Sequence, residues 1–200
     1  MNTLNEHITD SAGSLRFEKT LTFTGAPGNP LLAPRGVMLH GNLLVVTDTA
    51  QNRVFIWKNF SGEETQEPDV VLGQINQTDT GRNAHSEAGP GTFHYPSGIW
   101  TDGKRLIVAD AWNHRVLIWH NLPTQNGQPA DTVLGQPDGQ GHEPNAKGIA
   151  APPDARTLYW PYGVWSMDGQ LWIADTGNRR VLYFDKIPTN HFSPATAVIG

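Results

Sequence analysis

Asp48, Asp110 and Asp175 each close an apolar run, and each is followed five residues later by an arginine: Arg53, Arg115 or Arg180. A carboxylate and a guanidinium can pair through two parallel hydrogen bonds, for which Arg is better shaped than Lys. Three carboxylates brought to one axis could instead ligate a metal ion. The equivalence of the three settings favours internal pairing. A residue repeated in every copy serves architecture, while residues that differ between copies are where a site is built. Between each Asp and Arg stands Asn113 or Asn178, with Gln51 in the first copy. The Asp is expected to accept hydrogen bonds from backbone N–H groups of the following turn, and the Asn to take left-handed backbone geometry there. Gln51 predicts a distorted turn in the first copy.

The copies differ at two neighbouring turn positions, which read Ala50, Trp112 and Gly177, then Asn52, His114 and Arg179. Trp112 beside His114 could stack on a ring, a sugar or an apolar partner. The competing reading packs Trp112 beneath a long loop. Trp100 and Trp165 lie in apolar runs where the first copy has Met38, and there core filling competes with ligand contact. The candidate ligand-binding set is therefore Trp112, His114, Arg179, Trp100 and Trp165. The eight His form no His-x-x-x-His or similar cluster and Cys is absent. No nucleophile elbow or phosphate loop occurs. No catalytic residue, metal or cofactor is assigned.

These residues ride on an internal repeat. The block Pro34 to Gln74 returns as Pro96 to Gln136 and again from Pro161, at offsets of 62 and 65 residues. Gly36, Gly98 and Gly163 keep the same place, as do Val71-Leu72-Gly73, Val133-Leu134-Gly135 and Val198-Ile199-Gly200. Four short strands are expected per block, at Gly98 to Thr101, Arg105 to Ala109, Arg115 to Trp119 and Asp131 to Gly135 in the middle copy. Asp102-Gly103, Asp168-Gly169 and His40-Gly41-Asn42 supply turns between first and second strands. Four antiparallel strands in about 40 residues is a propeller-blade pattern. All length variation falls in 75–95 and 137–160, read as long surface loops that share Asn83-Ala84 and Asn145-Ala146.

Composition agrees. Gly 21 and Pro 15 in 200 residues suit a fold with many turns, and 14 basic against 19 acidic residues give a formal charge of -5. That balance opposes sequence-independent nucleic-acid binding. No secretory leader or membrane-spanning run is visible, which predicts a cytoplasmic protein. The expected organisation is a polar tail at 1–18, an outer strand and link at 19–33 (Leu21 to Gly25 being the strand), and blades at 34–95, 96–160 and 161–200. Three blades do not close a ring. The reading therefore expects part of a propeller of about six blades, or, if the chain is complete, closure by homo-oligomerisation.

Pro-x-Gly, an Asp-Gly turn and Leu-x-Val-Ala-Asp-x-x-Asn-x-Arg-Val, at Pro96 to Val116 and in close variant at Pro161 to Val181, resemble the NHL repeat in its long-loop bacterial form. The resemblance covers residues 34–200, departing at Thr47 and Gln51. It implies an all-β propeller that acts as a non-catalytic scaffold for a protein, peptide or small polar ligand. Resemblance to propeller lyases and lactonase-like hydrolases implies the alternative of an enzyme with a central metal. RNA binding, known in some relatives, is opposed by the lack of a basic stripe.

Overall fold

The computed structural model describes residues 31–62 and 66–200. The expected outer strand at Leu21 to Gly25 lies outside them. Among the described residues twelve strands form three four-stranded antiparallel sheets, each a simple meander with its strands in chain order. Blade 1 holds β1 (Pro34–His40), β2 (Leu43–Asp48), β3 (Arg53–Trp57) and β4 (Val70–Leu72). Blade 2 holds β5 (Pro96–Thr101), β6 (Leu106–Asp110), β7 (Arg115–Trp119) and β8 (Thr132–Leu134). Blade 3 holds β9 (Pro161–Met167), β10 (Gln170–Asp175), β11 (Arg180–Phe184) and β12 (Ala197–Ile199). The fold is an all-β propeller arrangement. No helix among the described residues is long and apolar enough to cross a membrane.

Residue alternation explains how the blades stack. Successive strand side chains point to opposite faces. In β7, Leu117 and Trp119 enter the core shared with Val54, Ile56 and Leu72 of blade 1. Val116 and Ile118 enter the core shared with Leu171, Ile173 and Leu182 of blade 3. The middle blade is covered on both faces, so its strands read as unbroken apolar runs. The equivalent β11 alternates between buried and half-buried residues.

The inner strands approach closely. A Cβ on Gly36 would collide with the Ser97 carbonyl oxygen, and one on Gly98 would lie 2.5 Å from that of Tyr162. Gly163, the third equivalent, would meet only the Ala174 Cβ at 3.3 Å. The outermost strands are clasped across the blade boundary: Gly127 N–H donates to the Val71 carbonyl, and Phe192 N–H to that of Val133.

Expected strand boundaries shift slightly. The inner strand of blade 2 starts two residues earlier, at Pro96, and β6 runs on to Asp110. The fourth strand is shorter, because Gly135 turns away with φ 93°. The turns between first and second strands carry the expected positive φ, at Gly41, Gly103 and the pair Asp168-Gly169.

Candidate functional site

Each Asp ends the second strand at a one-turn 3₁₀ segment and is fully buried. Asp110 Oδ2 accepts from Arg115 Nε and Asn113 Nδ2, both at 2.8 Å. Arg180 and Asn178 repeat this on Asp175 at 2.8 Å, and Arg53 Nε reaches Asp48 Oδ2 at 3.1 Å. The second carboxylate oxygen does not serve the following turn, as the sequence suggested. It accepts from the chain entering the inner strand: from His94 N–H at 2.7 Å in blade 2, Tyr159 N–H at 2.7 Å in blade 3, and Ala33 N–H at 3.1 Å in blade 1. The Asp thus ties the end of its strand to the entry segment 15 or 16 residues upstream. Burial pushes the Asp110 carboxyl above its ordinary range, while Arg115, Asn113 and the His94 N–H pull against that shift.

The guanidinium groups extend the tie to the long loops. Arg115 donates to the carbonyls of Gly139, Gly89 and Thr92, and Arg180 to those of Asp154 and Thr157. The shared loop Asn is held too. Asn113 donates to Asn83 Oδ1 at 2.8 Å and Asn178 to Asn145 Oδ1 at 2.9 Å. The loops are fastened to the next blade, and they present a fixed surface.

Left-handed geometry falls one residue beyond the expected Asn, at Asn52, His114 and Arg179, with φ of 55°, 54° and 56°. The Asn113 side chain is engaged by Asp110, and the turn closes through the residue after it. The near-identity of the three angles also removes the distortion expected of Gln51. The left-handed residue has a second role as a latch. Asn52 Oδ1 accepts from Tyr95 N–H at 2.9 Å, and His114 Nδ1 accepts from Trp160 N–H at 3.1 Å, joining one blade to the next. Burial, reinforced by the nearby positive potential of His94 and His142, holds His114 down to about 4. The ring is therefore neutral and able to accept at neutral pH. Arg179, exposed at the same place in blade 3, has no acceptor to offer.

Trp112 is 42 % exposed. Tyr95 stacks on it at 4.9 Å and His94 meets it edge-on at 5.2 Å. Its indole N–H donates to Tyr162 Oη across the blade boundary at 3.2 Å, and Arg35 donates to Tyr95 Oη at 3.0 Å. One blade further on, Trp160 is 39 % exposed and packs on Tyr159 at 4.6 Å. Tyr159 lies against Gly177, where a Cβ would sit 2.6 Å from its ring, and so occupies the space that the Trp112 side chain takes in blade 2. Tyr95 and Trp160 both have positive φ, 62° and 49°, which is costly for bulky residues.

The structure sets Trp112 against Tyr95 and Tyr162, and His114 against Trp160. Sequence reasoning singled out Trp112 and His114 and missed the others. Trp100 is elsewhere, only 6 % exposed in the core between blades 2 and 3, with Arg105 over its ring at 5.7 Å. Trp165, its repeat equivalent, is 55 % exposed on the far side of blade 3. Among the described residues no group of three or more His, Asp or Glu side chains converges as metal ligands would.

No family model matches the chain, and no curated relative matches it. Among solved structures it is similar to an auxiliary nutrient binding protein from Bacteroides thetaiotaomicron, at 16 % identity and a TM-score of 0.45, over 74 % of this chain and 36 % of that one. It is also similar to the computationally designed Ika8 protein, at 10 % identity and a TM-score of 0.34, over 81 % and 48 % of the two chains. A third is the PQQ-bound aldose sugar dehydrogenase from Streptomyces coelicolor, at 15 % identity and a TM-score of 0.34, over 86 % and 49 %. The chain spans less than half the length of each of the three.

Proposed function

We propose that the chain is a binding module built from NHL-type blades at 34–95, 96–160 and 161–200, whose entry-and-turn face recognises a small polar ligand, peptide or protein without catalysis. The observation that carries this reading is the pair of exposed indoles Trp112 and Trp160, with the half-buried Tyr95 stacked on Trp112, placed where the copies depart from one another on a frame that otherwise repeats. Two further facts support it. The face is fixed by ion pairs and fastened loops, so little ordering entropy opposes binding. Its bulky residues also hold costly backbone conformations, a feature that clusters at ligand contacts. The NHL assignment rests on three in-register copies of the sequence pattern, and cytoplasmic placement belongs to the same proposal.

A tryptophan-fluorescence screen of peptides, amino acids and sugars tests this, with Trp112→Ala and Trp160→Ala as companions. The reading expects a bound class whose affinity falls in one or both variants. If every bound compound keeps its affinity in both, the face is not the site.

A further inference from the structure

We infer that this face takes the pyranose rings of an oligosaccharide, one ring against Trp112 and another against Trp160; the inference rests on the proposal that the face is a binding site. Both indoles stand at the surface, each braced by an aromatic partner, Tyr95 for Trp112 and Tyr159 for Trp160. A braced ring presents a flat apolar surface of fixed orientation and loses little rotamer freedom on binding. The ligand must therefore offer flat apolar faces.

The backbone of the face narrows the choice. The N–H groups of Tyr95 and Trp160 are held by Asn52 and His114. Those of Trp112 and Gly177 are held by the carbonyls of His94 and Tyr159. A peptide strand adding to a sheet edge needs free main-chain groups, and these four are taken. A nucleic acid also has flat faces, but its phosphates need cations, and the chain carries a net charge of -5. A pyranose combines a face of C–H bonds with a rim of hydroxyls. The rim would meet polar groups at the edge of the aromatic patch, among them the Arg35 guanidinium and the Tyr95 and Tyr162 hydroxyls, which are already joined in side-chain hydrogen bonds. Trp112 stands in the second-to-third-strand turn of blade 2 and Trp160 at the entry to the inner strand of blade 3, and Trp112 donates to Tyr162, two residues beyond Trp160, so a chain of rings spans them better than one ring.

Calorimetric titration with a neutral β-linked glucan hexasaccharide, the matching monosaccharide and a proline-rich peptide tests this. The expected result is hexasaccharide binding with a Kd of about 0.1–1 mM, at least about tenfold tighter than the monosaccharide. Trp112→Ala and Trp160→Ala each weaken it about tenfold or more, while Trp165→Ala, off this face, leaves it unchanged. Circular dichroism confirms that each variant is folded. Absence of binding by the hexasaccharide, and by a uronate and an amino-sugar oligomer tried in its place, overturns the inference. So does binding that survives both indole substitutions. If the peptide binds in a Trp112-dependent way and no oligosaccharide does, the sugar assignment fails while the binding face stands.

Discussion

His114→Asn converts the latch between blades 2 and 3 into the one already used between blades 1 and 2, where Asn52 accepts the Tyr95 N–H at 2.9 Å. At neutral pH the substitution preserves the acceptor for Trp160 N–H and loses the ring contacts to Tyr159 and Trp160 at 5.2 and 6.3 Å. The expected loss of unfolding free energy is no more than about 1 kcal/mol. Acidification separates the two proteins. In the fold His114 is held down to about 4, against the ordinary imidazole value of 6.5, so the unfolded chain takes up the proton first. The stabilisation is complete above about 6.5, falls as pH drops from there, and is exhausted below about 4. The gap corresponds to at most about 3 kcal/mol, and the ring's partial access to solvent brings the expected effect between about pH 7.5 and pH 5 to about 1–2 kcal/mol. Protonation also makes Nδ1 a donor, which breaks the bond to Trp160. Urea unfolding followed by tryptophan fluorescence measures both proteins at each pH. The variant is expected to lose about 1–2 kcal/mol less than the parent on acidification. His94, itself pushed down to about 4 chiefly by burial, leaves a residual acid sensitivity in both. Identical pH dependence in the two proteins, or a His114 ring that titrates near 6.5 in the folded state, refutes the latch.

Other substitutions separate frame from face. Trp100→Ala, which empties a place in the core between blades 2 and 3, is expected to cost about 3–5 kcal/mol, against less than about 1 kcal/mol for the exposed Trp165→Ala, both read by urea unfolding. Gly98→Ala drives a Cβ to 2.5 Å from the Tyr162 carbonyl oxygen and should lower stability by about 2 kcal/mol or more; Gly163→Ala should change it by less than about 1 kcal/mol. Asp110→Asn leaves Arg115 buried without its countercharge, at an expected cost of about 3–5 kcal/mol. Hydrogen exchange at the His94 amide, whose acceptor is Asp110, should accelerate in the same variant.

Much of the frame was legible because its physics repeats. The constant offset between Pro34, Pro96 and Pro161 marks the inner strands, and the recurring Asp and Arg mark the second and third. The candidate site was less legible. Tyr95 and Trp160 directly precede Pro96 and Pro161 and lie at the ends of loops of unequal length, so they read as linker. A residue before proline is also biased toward extended geometry, whereas these two have positive φ. A usable signal was nonetheless present: His94-Tyr95 and Tyr159-Trp160 are aligned pairs before the inner-strand proline, and blade 1 has Leu32-Ala33 there. The displaced left-handed residue was hidden for a different reason. The propensity of Asn113 for that geometry yielded to the hydrogen bond its side chain makes with Asp110.

The central claim is that residues shared by the blades hold the fold, while the exposed aromatic side chains of the entry-and-turn face are surplus to it. The unfolding free energy of Trp112→Ala tests this most directly, since that side chain is large, unrepeated and in contact with two blades. The account predicts a loss of no more than about 1.5 kcal/mol, the worth of one aromatic stack and an exposed hydrogen bond. A loss of about 3–5 kcal/mol, matching removal of a core tryptophan, would make Trp112 part of the frame and contradict the claim.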